Sequence, residues 1–419
     1  MERSSITAVN EFLVLDAIRS AGQATRPQLG SSLGLSQASV SRIVRRLLAQ
    51  GLVIEEPGQS DGVGRHRDVL RFNHRAGAVI AIDLGGTKCH GALADLAGGV
   101  VGEDVRQTFA DGSPARSLIG SIAVLRAAAV VEGLPVKAVS VGIPAVINPD
   151  TGLVDAGPNV NWHGFDLAGL LADELDEPFV VENDVNLAAL GEAWRGGGTG
   201  IGSFVTLSLG TGIGAAVVLD GGLVRGRHNA AGEIGNLITG RSRLRKGLGL
   251  EGLISGTALV SRAQQLIKAR PGKSRPGKTS LDPSAVTPAL LFQAAAAGDP
   301  VAQTVIGELA EHVAIAVAAV AALLDPHRVI LDGSIGRALG PYLPRIDALV
   351  RRAAYRAPEL TISALGPNAS VIGGIAAALT LHRGSSAPAV PSLAALRESP
   401  GTGPTPTPPT TPLAAAVRP

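Results

Sequence analysis

The chain has 419 residues, more than a single hydrophobic core usually organises, so the length fits two globular units and a tail. Hydrophobic residues make up 45% of the sequence and charged residues 17%, which excludes a wholly disordered chain. The net charge of +2 indicates no particular partner, but six arginines fall between positions 42 and 71. That local excess suits a polyanion.

Cysteine use and hydropathy limit the class of protein further. Cys89 is the only cysteine, which excludes an internal disulfide and a thiolate-rich zinc site. The first residues contain no continuous apolar segment of a secretory signal. The longest apolar run, residues 313–324, is too short to cross a bilayer and predicts a buried helix. We therefore expect a cytoplasmic protein without a membrane partner.

The first predicted elements are three helices joined by short turns. Apolar residues spaced by three and four predict an amphipathic helix over residues 9–20. Thr25 begins a second helix, which Gly34 ends in a tight turn. Ser36 caps a third helix, which Gly51 ends. Short strands over residues 52–55 and 69–72 complete a winged helix-turn-helix.

The third helix and the wing carry the predicted DNA contacts. The candidate residues are polar side chains that face outward on the helix, together with two arginines of the wing tip: Gln37, Ser41, Arg42, Arg45, Arg65 and Arg67. Helix residues can reach base edges and phosphates, and a basic wing suits backbone or minor-groove contact. The alternative is a three-helix module for protein contact.

Two glycine turns further along the chain predict phosphate binding. In the first, a strand over residues 79–84 ends in an acidic residue and a turn: Asp83, Gly85, Gly86, Thr87 and Lys88. Glycines let backbone amides approach phosphate oxygens, and the carboxylate can hold a hydrated magnesium ion. In the second, a strand over residues 204–209 leads into Gly210, Thr211 and Gly212. One such turn also fits an ordinary hairpin, but two facing one cleft could clamp a triphosphate.

A polar cluster between these turns predicts a sugar site. A buried strand over residues 179–181 ends in Glu182-Asn183-Asp184. A carboxylate at a strand end can take a proton from a sugar hydroxyl, while an adjacent amide orients the ring. The alternative is that Asp184 only caps the following helix. Further polar groups of the type that reads sugar hydroxyls are Glu233, Asn236 and Glu251.

Together these motifs resemble the ROK family (repressors, open reading frames and sugar kinases) of the actin-like ATPase superfamily, over residues 77 to about 381. The resemblance implies an α/β fold, with a two-lobed actin-like domain over residues 76–385. A winged helix-turn-helix domain precedes it at 1–75, and a Pro/Thr-rich tail at 386–419 is expected to be disordered. By the same resemblance Asp184 matches the catalytic base, and the matching sugar contacts are Asn159, Asn183, Glu233 and Glu251.

Two departures from the family pattern bear on cofactors. Asn236 replaces a histidine of the family's zinc site, and residues 242–249 contain no cysteine, so we predict no structural zinc. Asp332 and Gly333 stand where the family's kinases place two glycines against adenosine. A carboxylate there argues against tight ATP binding.

Three functions fit the sequence. The first is a transcriptional repressor, a homodimer or homotetramer, that binds operator DNA and senses a sugar or sugar phosphate when two lobes close about a hinge near Glu182. The second is an ATP-dependent sugar kinase that carries a DNA-binding domain, for which Mg-ATP would be the cofactor. The third is a sugar-binding protein without DNA activity. The first accounts for both halves of the chain and for Asp332.

Overall fold

The computed structural model describes residues 2–58, 68–156, 162–269 and 279–384. Within these ranges the chain forms two compact units that divide between Phe72 and Asn73. Just after the division, His74 Nδ1 lies 2.7 Å from Asp95 Oδ2, so this residue packs with the second unit. Four residues or segments of the sequence predictions lie outside the described residues, namely Arg65, Arg67, Asn159 and the tail at 386–419.

The first unit is a helix-turn-helix followed by a two-stranded antiparallel wing. Its elements are α1 (Glu2–Ala21), α2 (Arg26–Leu33), α3 (Gln37–Ala49), β1 (Val53–Glu56) and β2 (Val69–Phe72). Thr25 accepts a hydrogen bond from the Gln28 backbone at the start of α2, and Gly34 ends α2 with a φ of 65°. Ser36 caps α3. The predicted turn and caps are confirmed.

The first helix differs from its prediction in length and in its buried face. It begins at Glu2 instead of residue 9. Val14 and Ile18 are fully buried, whereas Phe12 and Leu13 are 48% and 41% exposed. The small core that α1 shares with α2 and α3 has room for a narrow i, i+4 stripe only, so the wider apolar face inferred from the sequence is wrong.

The second unit contains two five-stranded sheets with the same topology. The strands of the first lobe are β3 (Ala78–Leu84), β4 (Lys88–Asp95), β5 (Val100–Gln107), β6 (Val136–Ile143) and β9 (Phe179–Asn183), in the order β5-β4-β3-β6-β9. The strands of the second lobe are β10 (Phe204–Leu209), β11 (Ile213–Leu219), β12 (Gly222–Val224), β13 (Arg328–Asp332) and β14 (Glu359–Ile362), in the order β12-β11-β10-β13-β14. In each sheet three antiparallel strands precede two parallel ones. The short pair β7 (Val146–Ile147) and β8 (Val154–Ala156) lies apart from both sheets.

Helices cover both sheets. They are α4 (Pro114–Val131), α5 (Leu167–Glu174), α6 (Asp184–Arg195), α7 (Arg241–Lys246), α8 (Glu251–Ile254), α9 (Gly256–Lys268), α10 (Pro288–Ala296), α11 (Pro300–Leu324), α12 (Gly333–Ala338), α13 (Leu343–Ala353) and α14 (Ala369–His382). The predicted helix at 313–324 is confirmed as the second half of α11, where Val313 and Val317 are fully buried. By length and composition α4 and α11 could cross a membrane, but α11 packs within the core of the second lobe.

Helices α6 and α14 cross between the lobes with their backbones in contact. α14 packs on β3 and β6, and α6 packs on β10 and β11. A Cβ atom added to Gly373 would lie 1.7 Å from the Leu187 carbonyl oxygen, and one added to Gly191 would lie 2.4 Å from the Ala369 carbonyl oxygen. Only glycine fits at either position, and the crossing fixes α6 against both sheets.

We expect Gly373→Ala to destabilise the second unit by about 2–4 kcal/mol, because a methyl group at this crossing must separate two packed helices. Urea denaturation of the purified protein measures the change. Gly340→Ala is the matched control, since the nearest neighbour of its added Cβ would be 4.0 Å away. Equal stability of the two variants would contradict the proposed role of the crossing.

Candidate functional site

Strand ends from both lobes meet at an acidic cavity of about 200 Å³. Asp83 lies at the end of β3, Asp184 begins α6 directly after β9, and Asp332 ends β13. The carboxyl ends of parallel strands share one edge of a sheet, which is where α/β proteins usually bind ligands. Arg337 from α12 supplies the positive charge in the cavity wall. The repeated topology therefore brings three sequentially distant carboxylates together.

Asp184 and Asn183 divide two roles that the sequence left open. Asn183 is the N-cap of α6, and its Oδ1 accepts hydrogen bonds from the backbone nitrogens of Val185 and Asn186 at 2.9 and 3.2 Å. Asp184 is the first helical residue, and one of its oxygens also accepts from the Val185 nitrogen, at 2.9 Å. The cap is Asn183, and the Asp184 carboxylate faces the cavity.

The carboxylates of this cavity strongly affect one another's protonation. Burial, with the negative charges of Asp83 and Glu233, raises the pKa of Asp184 to about 8. Burial raises the pKa of Asp83 to about 6; Lys88 opposes the shift and Asp332 adds to it. Asp83 Oδ1 is buried and accepts no hydrogen bond from the described residues. The ligand-free cavity therefore retains protons at neutral pH.

The predicted sugar contacts of the second lobe lie beside Asp184. Glu233 is close enough to raise the pKa of Asp184, and partial burial together with Glu251 raises the pKa of Glu233 itself. Glu251, the first residue of α8, accepts a hydrogen bond of 3.3 Å from the Ile213 backbone. Asn236 ends a short 3₁₀ turn and is exposed. Three separate segments thus converge, in a pattern that can accept several hydroxyl hydrogen bonds.

The first glycine turn closes on itself. The Gly85 nitrogen donates to the Lys88 carbonyl at 2.9 Å, and the Thr108 hydroxyl donates to the Gly85 carbonyl at 2.6 Å. Gly86 is half-buried and Thr87 is exposed. The turn is held rigidly at the end of β3, next to Asp83.

The second glycine turn borders a different cavity. Gly210 and Thr211 line a space of about 430 Å³ with Ser334 of α12, and Gly212 accepts a hydrogen bond from the Gly210 nitrogen. Gly333 adopts a φ of 77°, and a Cβ atom on it would lie 2.3 Å from the Leu209 carbonyl oxygen. Glycine is required there by the close approach of β10.

Asp332 does not lie where the sequence comparison placed it. Its carboxylate lines the cavity of Asp83 and Asp184 instead of the space bordered by Gly210. Asp332 is 6% exposed, and its Oδ1 accepts a hydrogen bond of 2.9 Å from Arg337 Nη1. Burial raises the pKa of Asp332, and Arg337 opposes that shift.

This ion pair decides the fit of Mg-ATP. It lies between the ends of β3 and β10, which carry the two glycine turns, and so occupies the position where a triphosphate would have to pass. A buried carboxylate repels phosphate oxygens, and the guanidinium of Arg337 is already engaged with Asp332. The described residues do not fit Mg-ATP. The sequence gave little sign of Arg337, because its partner lies before the intervening helix start.

The zinc ligands of the family pattern are missing from the residues that replace them. Asn236 and α7 provide no imidazole or thiol, and Cys89 is buried in the first lobe. No group of three or more His, Cys, Asp or Glu side chains suited to a metal occurs among the described residues. This donor set does not fit tetrahedral zinc. The absence of zinc in the purified protein stays a prediction.

A salt bridge that the sequence did not reveal joins the lobes beside the site. Glu182, the residue before Asn183, is 7% exposed and accepts a hydrogen bond of 3.0 Å from Arg225 Nε. Its other oxygen accepts 2.9 Å bonds from the Asn183 backbone and the Asn186 side chain. Glu182 and Arg225 are far apart in sequence, so no local pattern predicts the pair. The hinge near Glu182 stays a prediction.

In the first unit, α3 presents a basic face. Gln37, Arg42 and Arg45 are exposed and Ser41 is half-buried. Arg46 pairs with Glu11 of α1 at 3.3 Å. Arg42 and Arg45 have no carboxylate partner among the described residues, so their charges are available to an anionic ligand. The geometry fits an α3 that enters a DNA groove.

The family models match both units. The model described as the ROK family matches residues 79–382, and the model described as the MarR family matches residues 5–62. The chain belongs to the ROK family. Its N-terminal unit is similar to the winged helix domain of MarR proteins.

Individual relatives include regulators and kinases. The xylose repressor of Caldicellulosiruptor bescii is 27% identical over 88% of this chain and 94% of its own length. A crystal structure of a ROK family transcriptional regulator, described as a homolog of the E. coli MLC protein, covers 94% of this chain with all of its own, at 23% identity and a TM-score of 0.73, which indicates the shared fold. A ROK family glucokinase from Streptomyces griseus, in complex with glucose and AMPPNP, covers 73% of this chain with all of its own, at 28% identity and a TM-score of 0.61.

We expect Asp184→Asn to stabilise the ligand-free protein at alkaline pH. Because folding raises the pKa of Asp184 from 3.8 to about 8, the wild type loses stability as pH rises between these values. Asparagine cannot ionise, so the variant should be more stable at pH 8.5 by on the order of 1–3 kcal/mol and nearly equal at pH 4. Urea unfolding at both pH values measures this.

The control is Asp347→Asn, which removes an exposed carboxylate that pairs with Arg351 on α13. This variant should keep the pH dependence of the wild type. A similar pH profile for Asp184→Asn and the wild type would contradict the raised pKa.

Proposed function

We propose that this protein is a transcriptional repressor that binds operator DNA through α3 and releases it when a sugar binds between the lobes of the second unit. The observation that carries the proposal is the presence, on one chain, of unpaired arginines on a recognition helix and of a polar cleft with an ion pair where a nucleotide would pass. The xylose repressor relative, which spans both units, supports it.

On the DNA side, Gln37, Ser41, Arg42 and Arg45 make the proposed contacts. Arginines bind guanine edges and phosphates, and glutamine binds adenine. The wing arginines, Arg65 and Arg67, add contacts to the backbone or minor groove. A homodimer or homotetramer in the cytoplasm would place two recognition helices on half-sites one helical turn apart.

On the effector side, Asp184 accepts a hydrogen bond from a sugar hydroxyl. Asn183, Glu233, Asn236 and Glu251 surround the ring, and Asn159 lies on a further loop of the proposed site. Carboxylates and amides in such numbers suit a polyhydroxylated ligand. Ligand contacts from both lobes give closure a differential free energy, which a sensor requires.

The second candidate function is an ATP-dependent sugar kinase with Asp184 as general base. The glucokinase neighbour and the position of Asp184 in the cleft favour it. The Asp332–Arg337 pair opposes it, because the nucleotide phosphates would have to displace this pair. Repression without turnover is therefore the preferred function.

Removal of Arg42 and Arg45 tests the DNA-binding half of the proposal. The double alanine variant should bind a DNA site, selected from a random pool by the wild type, at least about tenfold more weakly, with a salt slope flatter by about one to two. Fluorescence anisotropy across a salt series measures both. Arg352→Ala/Arg356→Ala, which removes two exposed arginines of the second unit, should behave like the wild type. Unchanged affinity and slope in the Arg42/Arg45 variant would contradict the assignment.

Turnover separates the repressor from the kinase. The wild type should not phosphorylate common hexoses or pentoses at enzyme-like rates with Mg-ATP, whereas sugar should lower its affinity for the selected DNA. Steady turnover that falls by a factor of about 100 to 10,000 in Asp184→Asn would establish the kinase instead. Asp332→Gly provides a second measurement, since ATP binding should improve if this carboxylate is the obstacle.

A further inference from the structure

The wall of the acidic cavity is unbalanced in charge. Its charged lining consists of three carboxylates, Asp83, Asp184 and Asp332, and one guanidinium, that of Arg337. Arg337 donates to Asp332 at 2.9 Å, so the single cation is already neutralised by one of the three acids. The part of the cavity near Asp184 is left with unpaired negative charge.

The surroundings of the cavity add to this imbalance. Glu233 and Glu251 lie on the other side of Asp184 and repel each other. The nearest other cations are engaged or peripheral, because Arg225 pairs with Glu182 and Lys88 is exposed at the first glycine turn. The stretch 157–161, which lies outside the described residues, contains no charged side chain.

The helix terminus at the site offers no anion site either. A free helix N-terminus binds phosphate through its first backbone amides. At α6 those amides are occupied, because Asn183 Oδ1 accepts from Val185 and Asn186, and Asp184 accepts from Val185 as well. A phosphate placed beside Asp184 would find carboxylate oxygens and no free donor.

The two classes of effector differ sharply in such a cavity. A neutral sugar presents hydroxyl groups, which donate to carboxylates and satisfy oxygens such as the buried Oδ1 of Asp83. A phosphate ester carries a charge of about −1.5 to −2 at pH 7, and it requires arginines, lysines or backbone amides. Repulsion between buried like charges a few ångströms apart is large enough to decide affinity.

We propose that the effector is a neutral sugar with a free hydroxyl at the position that Asp184 contacts, and that the cavity rejects the ester phosphorylated at this hydroxyl. This inference rests on the proposed function, because it assigns the chemical class of the effector to the same site. It assigns selectivity to Asp83 and Asp332 as well as to Asp184. A reaction that phosphorylates the sugar would therefore remove the signal.

Matched pairs of ligands test the inference on the full-length protein. Isothermal titration compares D-xylose, D-glucose, D-mannose and N-acetyl-D-glucosamine with xylose 5-phosphate and the three hexose 6-phosphates. At least one neutral sugar should bind, and its phosphate should bind at least about tenfold more weakly. Asp83→Asn should narrow this ratio, because it removes one negative charge, while Asp347→Asn should keep it. Thermal unfolding of each variant checks that it is folded.

Each outcome separates this inference from the repressor proposal. A phosphate ester that binds more tightly than its parent sugar and releases DNA would overturn the neutral-sugar inference and leave the repressor intact. A neutral sugar that binds selectively without changing DNA affinity would support the inference and contradict the repressor. Binding of no member of the panel would overturn the inference, as would an unchanged ratio in Asp83→Asn.

Discussion

The contact on which the second unit depends is the crossing of α6 and α14, where two glycines bring helix backbones together. Gly191 and Gly373 leave no space for a side chain at this point. α14 lies on the first sheet and α6 on the second, so the crossing fixes both sheets relative to Asp184 at the start of α6. The position of the central carboxylate is thus a consequence of backbone packing two to three turns away.

The same arrangement places like charges at a buried edge, which is unfavourable without a ligand. The raised pKa values of Asp83, Asp184 and Glu233 share burial as the largest cause. Such conflict is typical of binding sites, where groups are held in positions that serve the ligand rather than the free protein. A ligand that supplies hydroxyl donors relieves it, and this relief is a source of free energy for lobe closure.

The sequence predicted the elements of the winged helix unit well, because caps and turns are local. Thr25, Gly34 and Ser36 all act within a few residues of their position. It also predicted the strands that end at Asp83 and Asp332, since buried strands before glycine turns have a clear pattern. It could not predict the partners of these carboxylates. The pairs Asp332–Arg337 and Glu182–Arg225 depend on how helix starts and lobes meet in three dimensions. The exposed face of α1 likewise depended on the size of a core that no local pattern reveals.

The central claim is that sugar binding and DNA binding are linked. Linkage is reciprocal, so the dissociation constant of the sugar must change when operator DNA is bound. Isothermal titration of an active sugar into the free protein and into its complex with a selected DNA site measures this directly. We expect at least about fivefold weaker sugar binding to the complex, matched by an equal loss of DNA affinity in saturating sugar. Identical sugar affinities in the two titrations would contradict the account.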